Sequence, residues 1–70
     1  MAELTVKIAY IGSDIEYVGE AYPGTATSSA GWRIKKMIYS GGNLIDVRYA
    51  NADDSFTHIW DSRATYTYNS

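Results

Sequence analysis

"GWRIKKMIYSGGNLIDVRYA", residues 31–50, decides the fold. Two apolar-rich runs meet at Gly41-Gly42, and a glycine pair suits the two central positions of a type I′ turn, where both residues need positive φ. That turn predicts a hairpin with Tyr39 opposite Leu44, Ile38 opposite Ile45, Lys36 opposite Val47 and Ile34 opposite Tyr49. Trp32, Ile34, Ile38, Ile45, Val47 and Tyr49 then share one face. A slip of one residue would oppose Ile38 with Asp46, a poorer pairing. Lys36 interrupts the apolar face and has to snorkel past its neighbours or lie at a sheet edge.

Outward from the hairpin, residues 3–11 alternate, with Leu4, Val6, Ile8 and Tyr10 on one side and Thr5, Lys7 and Ala9 on the other. Period-two alternation of β-branched and aromatic residues predicts a half-buried strand. Gly12-Ser13-Asp14 reads as a turn, and residues 15–22 as a second strand whose central Gly19 signals a bulge or the close approach of another chain. Pro23-Gly24 ends it. Residues 23–31 are small and polar, which predicts a loop or an extended arm ordered by a neighbouring subunit.

Past the hairpin the period changes. Phe56, Ile59, Trp60 and Arg63 fall at the spacing of one helical face, with Asp53, Asp54 and Ser55 as N-cap types ahead of them. This predicts a short helix near residues 55–62, of two α-turns or one 3₁₀ turn. Residues 65–68 alternate again, with Tyr66 and Tyr68 on one side. The fold expected is mainly β: one 70-residue domain, a small antiparallel sheet or barrel of four to five strands, with one short helix. Its expected core is Val6, Ile8, Trp32, Ile34, Ile38, Ile45, Val47, Tyr49, Phe56, Ile59 and Trp60, and Trp32 and Trp60 are expected to meet.

Composition narrows the function. A chain this short buries only about 60% of its unfolded surface, so its core is marginal unless something adds to it. Cysteine is absent and His58 is the only histidine, which removes disulfides, thiolate chemistry and a histidine-built metal site. Association with other chains is the remaining support, and seven tyrosines suit half-buried contact surfaces. The net charge of −2 gives no overall attraction to phosphate. No apolar run approaches the roughly 20 residues of a membrane span. The first ten residues, "MAELTVKIAY", alternate and hold Glu3, so they do not read as a signal peptide, and the mature chain is expected to start there.

Catalytic patterns are lacking. His58 falls on the helix side away from Phe56 and Trp60 and is expected to be an exposed bystander. Asp53, Asp54 and Asp61 do not have the spacing of a calcium loop and are read as capping and solubilising groups. The glycines of "GEAYPG" and "YSGGN" mark turns, without the lysine of a phosphate-binding loop. No cofactor or metal is expected. The cations pose the sharper question: Arg33, Lys35 and Arg48 would share the outer face of the hairpin, Lys35 directly opposite Arg48. Such a row is a surface neutralised within the chain by Glu16, Glu20 or Asp46, a docking surface for an acidic patch on another subunit, or, with Tyr39, a platform for single-stranded nucleic acid. The acidic total counts against the last.

"YVGEAYPGTATSSAGWRIKKMIY", "VRYAN" and "SFTHIWDSRATYTY" resemble a family of small tailed-bacteriophage proteins. In these a PGTATS stretch precedes W-R-I-K-K, and the chain closes on F-x-x-I-W-D-x-R and a short strand. The likeness covers residues 16–68 and rests on Pro23, Gly24, Trp32 to Lys36, Phe56, Trp60, Asp61 and Arg63. One departure is the turn at Ala50-Asn51-Ala52-Asp53, where the pattern has a glycine. The resemblance implies a non-enzymatic virion component: a capsid decoration or cement protein, a head–tail or collar element, or a fibre-attachment adaptor. It would be made in the bacterial cytoplasm, form homo-oligomers, and contact major capsid, portal, neck or tail subunits. The candidate contact residues are Arg33, Lys35, Arg48, Tyr22, Thr25, Thr27 and Tyr39. An inhibitor of a host protein and a small β-barrel binding single-stranded nucleic acid are the alternatives.

Overall fold

A computed structural model of the chain describes residues 3–68. Five strands follow one another: β1 (Thr5–Ile11), β2 (Asp14–Ala21), β3 (Ala30–Ser40), β4 (Asn43–Tyr49) and the two-residue β5 (His58–Ile59). They form an antiparallel sheet in the order β1-β2-β3-β4, with β5 paired to β3 off that path. Two 3₁₀ turns, Ala50–Ala52 and Trp60–Thr65, complete the chain. The mainly-β sheet with one short helix late in the sequence is therefore present. The helix is of the 3₁₀ type and begins at Trp60, because residues 58–59 are claimed by β3 as a strand.

β3 runs eleven residues, about 37 Å at 3.4 Å per residue, which accounts for the 38 Å long axis of a molecule only 22 and 21 Å in its other dimensions. No other strand matches that length, so β3 is shared. β2 pairs only with its Arg33–Lys36 stretch, β4 with Lys35–Ser40, and β5 with Ala30 and Trp32. Toward their turns the β1–β2 and β3–β4 hairpins therefore separate. The Tyr39 hydroxyl bridges the gap by donating to the Ile15 carbonyl at 2.7 Å.

The Gly41-Gly42 turn forms as the sequence predicts, with φ of +58° and +84° and Tyr39 opposite Leu44. The register beyond it does not. Ile45 is bulged out, so Ile38 faces Asp46, Met37 faces Val47, Lys36 faces Arg48 and Lys35 faces Tyr49. The shift moves a like-charge opposition from Lys35 to Lys36: Lys35 now lies 5.9 Å from the Tyr49 ring centroid, while Lys36 faces Arg48, which is paired with Asp46. Ile45 is the residue displaced, and it is exposed.

The core lies on one face of the sheet. It consists of Tyr17, Ala21, Trp32, Ile34, Ala50 and Trp60, with Ala9, Tyr66 and Tyr68 packed against it. Paired positions in an antiparallel ladder project to the same side, so Ala9, Tyr17, Gly19, Ala21, Trp32 and Ile34 form one surface, and the segment from Ala50 to Tyr68 lies over it. The two indoles meet as expected, ring centroids 5.9 Å apart. Small residues on the sheet make room for them. At on the order of 200 Å² of burial each and roughly 25 cal/mol per Å², they contribute about 10 kcal/mol before ordering costs, an upper bound.

Several expected core residues lie elsewhere. Val6, Ile8, Ile45 and Val47 are exposed, and Ile38, Tyr49, Phe56 and Ile59 are half-buried. Val6, Ile8 and Val47 point to the face that the C-terminal segment does not cover. His58, expected on a helix surface, is buried in β5, its ring edge-on to Tyr66 at 4.8 Å and its Nδ1 without a hydrogen-bond partner among the described residues. Thr65 ends the 3₁₀ turn, and residues 66–68 form no strand. Asn51 and Thr67 exchange two hydrogen bonds there, the Asn51 N–H donating to Thr67 O at 2.7 Å and the Thr67 N–H to Asn51 Oδ1 at 3.0 Å.

Candidate interaction surfaces

Positions 18, 20, 33, 35, 37, 39 and 47, together with 6, 8 and 10 on β1, project from the face opposite the core. Near the middle of β3 this open face is charged. Glu20 Oε1 accepts from Arg33 Nη2 at 3.0 Å and Nε at 3.2 Å, and lies 3.5 Å from Lys35 Nζ. On the outer strands β1 and β4 it is apolar. Val6, Ile8 and Tyr10 are 53%, 46% and 60% exposed, and across the sheet Leu44 and Val47 are 51% and 43% exposed. These five lie in two groups, one on β1 and one on β4, with β2, β3 and the Glu20–Arg33–Lys35 charges between them.

The basic row expected from the sequence is not assembled. Arg33 and Lys35 do share the open face, but the bulge at Ile45 puts Arg48 on the core side, where it donates to Asp46 Oδ2 at 2.9 Å. All three cations therefore have carboxylate partners in their own chain, Glu20 and Asp46, both among those the sequence named. The Arg48 hydrogen bond, followed by that from the Val47 N–H, holds the Asp46 carboxyl below its ordinary value.

The remaining predicted contact residues are also engaged. Of the expected arm 23–31, residues 23–29 form a loop fastened to the chain's own body and Ala30 and Gly31 open β3. Thr25 Oγ1 donates to Tyr22 O at 2.7 Å, the Trp32 indole N–H to Ala26 O at 3.0 Å, and Thr27 Oγ1 to Asp61 Oδ2 at 3.2 Å. The Asp61 N–H returns to Thr27 O at 3.1 Å, so Asp61, read from the sequence as a capping and solubilising group, holds the loop. Tyr22 stays exposed, its ring 5.4 Å from Phe56, which lies under the Arg33 guanidinium at 4.8 Å.

A second cluster, on the core side, escaped the sequence reading. Lys36 Nζ lies 5.7 Å from the Tyr17 centroid and 5.8 Å from that of Tyr68, while Arg63 Cζ lies 4.7 Å from Trp60 and 5.8 Å from Tyr17. Among the described residues neither cation has a carboxylate within ion-pair distance. The Lys36 blemish noted in the sequence is thus resolved by tyrosine faces. Burial pushes the Tyr68 phenol well above its ordinary value, with the nearby Tyr17 and Tyr66 adding to the shift, and its hydroxyl donates to Arg63 O at 2.7 Å. Only the long-range return of residues 60–68 brings these groups together, so no local pattern announces them.

Among the described residues no pocket opens, no group of three His, Asp or Glu side chains could hold a metal ion, and no helix is long and apolar enough to cross a membrane. Searches against protein-family models, curated proteins and solved structures return no match to this chain.

Proposed function

We propose that the chain is a non-enzymatic structural component of a tailed-bacteriophage particle and works by docking its open sheet face on other subunits. The observation that carries this reading is the exposure of five large apolar side chains on the open face of a 70-residue chain, Val6, Ile8 and Tyr10 on β1 and Leu44 and Val47 on β4. Leaving five large apolar side chains in water forfeits stabilisation that so small a domain lacks from other sources, and covering them restores it. The resemblance of residues 16–68 to small phage proteins supplies the setting; decoration, neck and fibre-adaptor positions all present neighbours on a symmetric array.

Docking then differs from a charge-led encounter. Arg33, Lys35 and Arg48 are matched within the chain, so binding should depend weakly on salt and strongly on the apolar residues. The test is quantitative mass spectrometry of purified particles of the encoding phage. A copy number matching a symmetry of shell, neck or tail is expected. A chain abundant in infected cells and missing from particles overturns the reading and favours an inhibitor of a host protein.

A second reading, single-stranded nucleic-acid binding, is favoured by Lys36 and Arg63, two cations on aromatic rings without carboxylate partners. It is the weaker one, because those rings are occupied by the chain's own cations and the net charge is −2. Oligonucleotide binding at low salt that weakens steeply as salt rises would establish it.

A further inference from the structure

β1 and β4 are the outer strands of the sheet, each with one edge unpaired among the described residues, and the two edges are treated differently. β4 is blunted. It carries the Ile45 bulge, the charged pair Asp46 and Arg48, and a Val47 N–H already bonded to Asp46 Oδ1 at 2.9 Å. Bulges, charges and spent N–H groups are the usual means of keeping a sheet edge from pairing. β1 has little of this. It runs seven residues, Thr5–Ile11, without a proline; its one charge is Lys7; and the bulge beside it, at Glu16, belongs to β2.

We propose that two copies of the chain pair antiparallel along β1 about a two-fold axis at Ile8, joining their sheets into one of eight main strands. This rests on the reading that the chain works through protein contact, and it names the first partner as a second copy. The register follows from side chains. Centred on Ile8, the pairing sets Val6 against Tyr10 of the second copy, Lys7 against Ala9, Thr5 against Ile11, and Ile8 against its own equivalent. All seven residues are used, aromatic meets β-branched, and no like charges are opposed. Moving the centre to Lys7 would set two lysines in contact; moving it to Ala9 leaves only Lys7–Ile11 paired. Because β-pairing preserves the faces of a sheet, the exposed Val6, Ile8 and Tyr10 of both copies then lie side by side on the open face. The dimer so formed offers other subunits twice the apolar surface, with both core sides turned away.

The chain lacks cysteine, which makes the test direct. Full-length Ile8→Cys should cross-link to a dimer under mild oxidation, since its equivalents face each other across the axis at a separation that a disulfide spans. Val6→Cys and Val47→Cys should cross-link at least about tenfold more slowly, while the double variant Val6→Cys/Tyr10→Cys should link as readily as Ile8→Cys. Ile8→Glu places two carboxylates together and should weaken the dimer about tenfold or more by sedimentation equilibrium, with the emission of buried Trp32 and Trp60 unchanged as the check on folding. A wild-type chain that sediments as a monomer at every concentration, or cross-linking equally fast at positions 6, 8 and 47, overturns the proposal. A monomer that still enters particles overturns only the β1 pairing; a dimer absent from particles overturns only the virion reading.

Discussion

Trp60 lies on Gly19. A Cβ at position 19 would overlap the Trp60 ring at Cε3 and Cζ3 and stand 3.2 Å from Trp32 Cε3. The glycine is therefore required by close approach, since its φ is not positive. Gly19→Ala should destabilise by about 2–3 kcal/mol through overpacking, read as a lower urea midpoint with an unchanged m-value. Combining it with Trp60→Leu should cost less than the sum of the two single changes, because the second removes the ring that the first strikes. Additive costs would show that Trp60 is not the obstacle.

Much of this arrangement could be read from the sequence, and the rest fails for identifiable reasons. Gly41-Gly42 has one economical use, so the hairpin turn and Tyr39–Leu44 pairing are legible, and the two tryptophans signalled each other; Gly19 signalled a bulge or the approach of another chain, whereas what approaches it is Trp60 of the same chain. Alternation, however, tells which residues share a face and not which face is covered. Val6 and Ile8 look like core in β1, yet the C-terminal segment lies on the other side, over Ala9, Gly19 and Ala21. Those small residues were the overlooked signal, since small side chains on a sheet leave space for indoles. The Ile45 bulge is invisible to a period count, because inserting one residue preserves alternation on both sides of it. Once that bulge moves Arg48 across the sheet, the basic row inferred from sequence dissolves. Phe56, Ile59 and Trp60 keep helical spacing without an α-helix, because pairing with β3 takes His58 and Ile59 first.

Glu20 holds two cations with one oxygen, at 3.0 Å from Arg33 and 3.5 Å from Lys35. Glu20→Gln leaves those charges adjacent on the open face, partly screened by water, and should cost roughly 1 kcal/mol or less. The loss should shrink further in molar salt. Replacing all three by glutamine should be nearly neutral for folding. If the triple variant unfolds several times more readily than Glu20→Gln alone, the cations have a second structural partner.

Stability should fall in acid and in base for opposite reasons. Asp46 is held below its ordinary value by Arg48 and then by the Val47 N–H, and Asp53 by the N–H and then the hydroxyl of Ser55. For a carboxyl with a depressed folded-state pKa the contribution is complete above the unfolded value, near 3.8, and disappears as pH drops through the lower folded value. Tm should therefore decline below about pH 4, and Asp46→Asn should flatten that decline. Tyr68 is the reverse case, raised above its ordinary 10.0 chiefly by burial. Its contribution is complete below pH 10.0 and is lost as pH climbs through the folded value. The tyrosinate absorbance of Tyr68→Phe should lack the latest-titrating component seen in the parent chain.

Asn51 and Ala52 sit side by side in the left-handed region, at φ +53° and +56°, and the same substitution should act in opposite directions on them. Ala52 is exposed. An L-residue with a Cβ gives up roughly 1–2 kcal/mol in this conformation, and glycine removes that strain while adding about 0.4–1 kcal/mol of freedom to the unfolded chain. Ala52→Gly should therefore stabilise by several tenths to about 1 kcal/mol. Asn51 tolerates the conformation better, and its Oδ1 receives the Thr67 N–H at 3.0 Å. Asn51→Gly gains little backbone relief and loses that bond, which is worth about 1 kcal/mol, so it should destabilise and loosen the stretch that carries Tyr66 and Tyr68. Thermal unfolding of the two variants beside the parent decides the matter: Tm rising for position 52 and falling for position 51. A fall at both would mean that the turn is held by something other than backbone conformation and the Asn51–Thr67 pair.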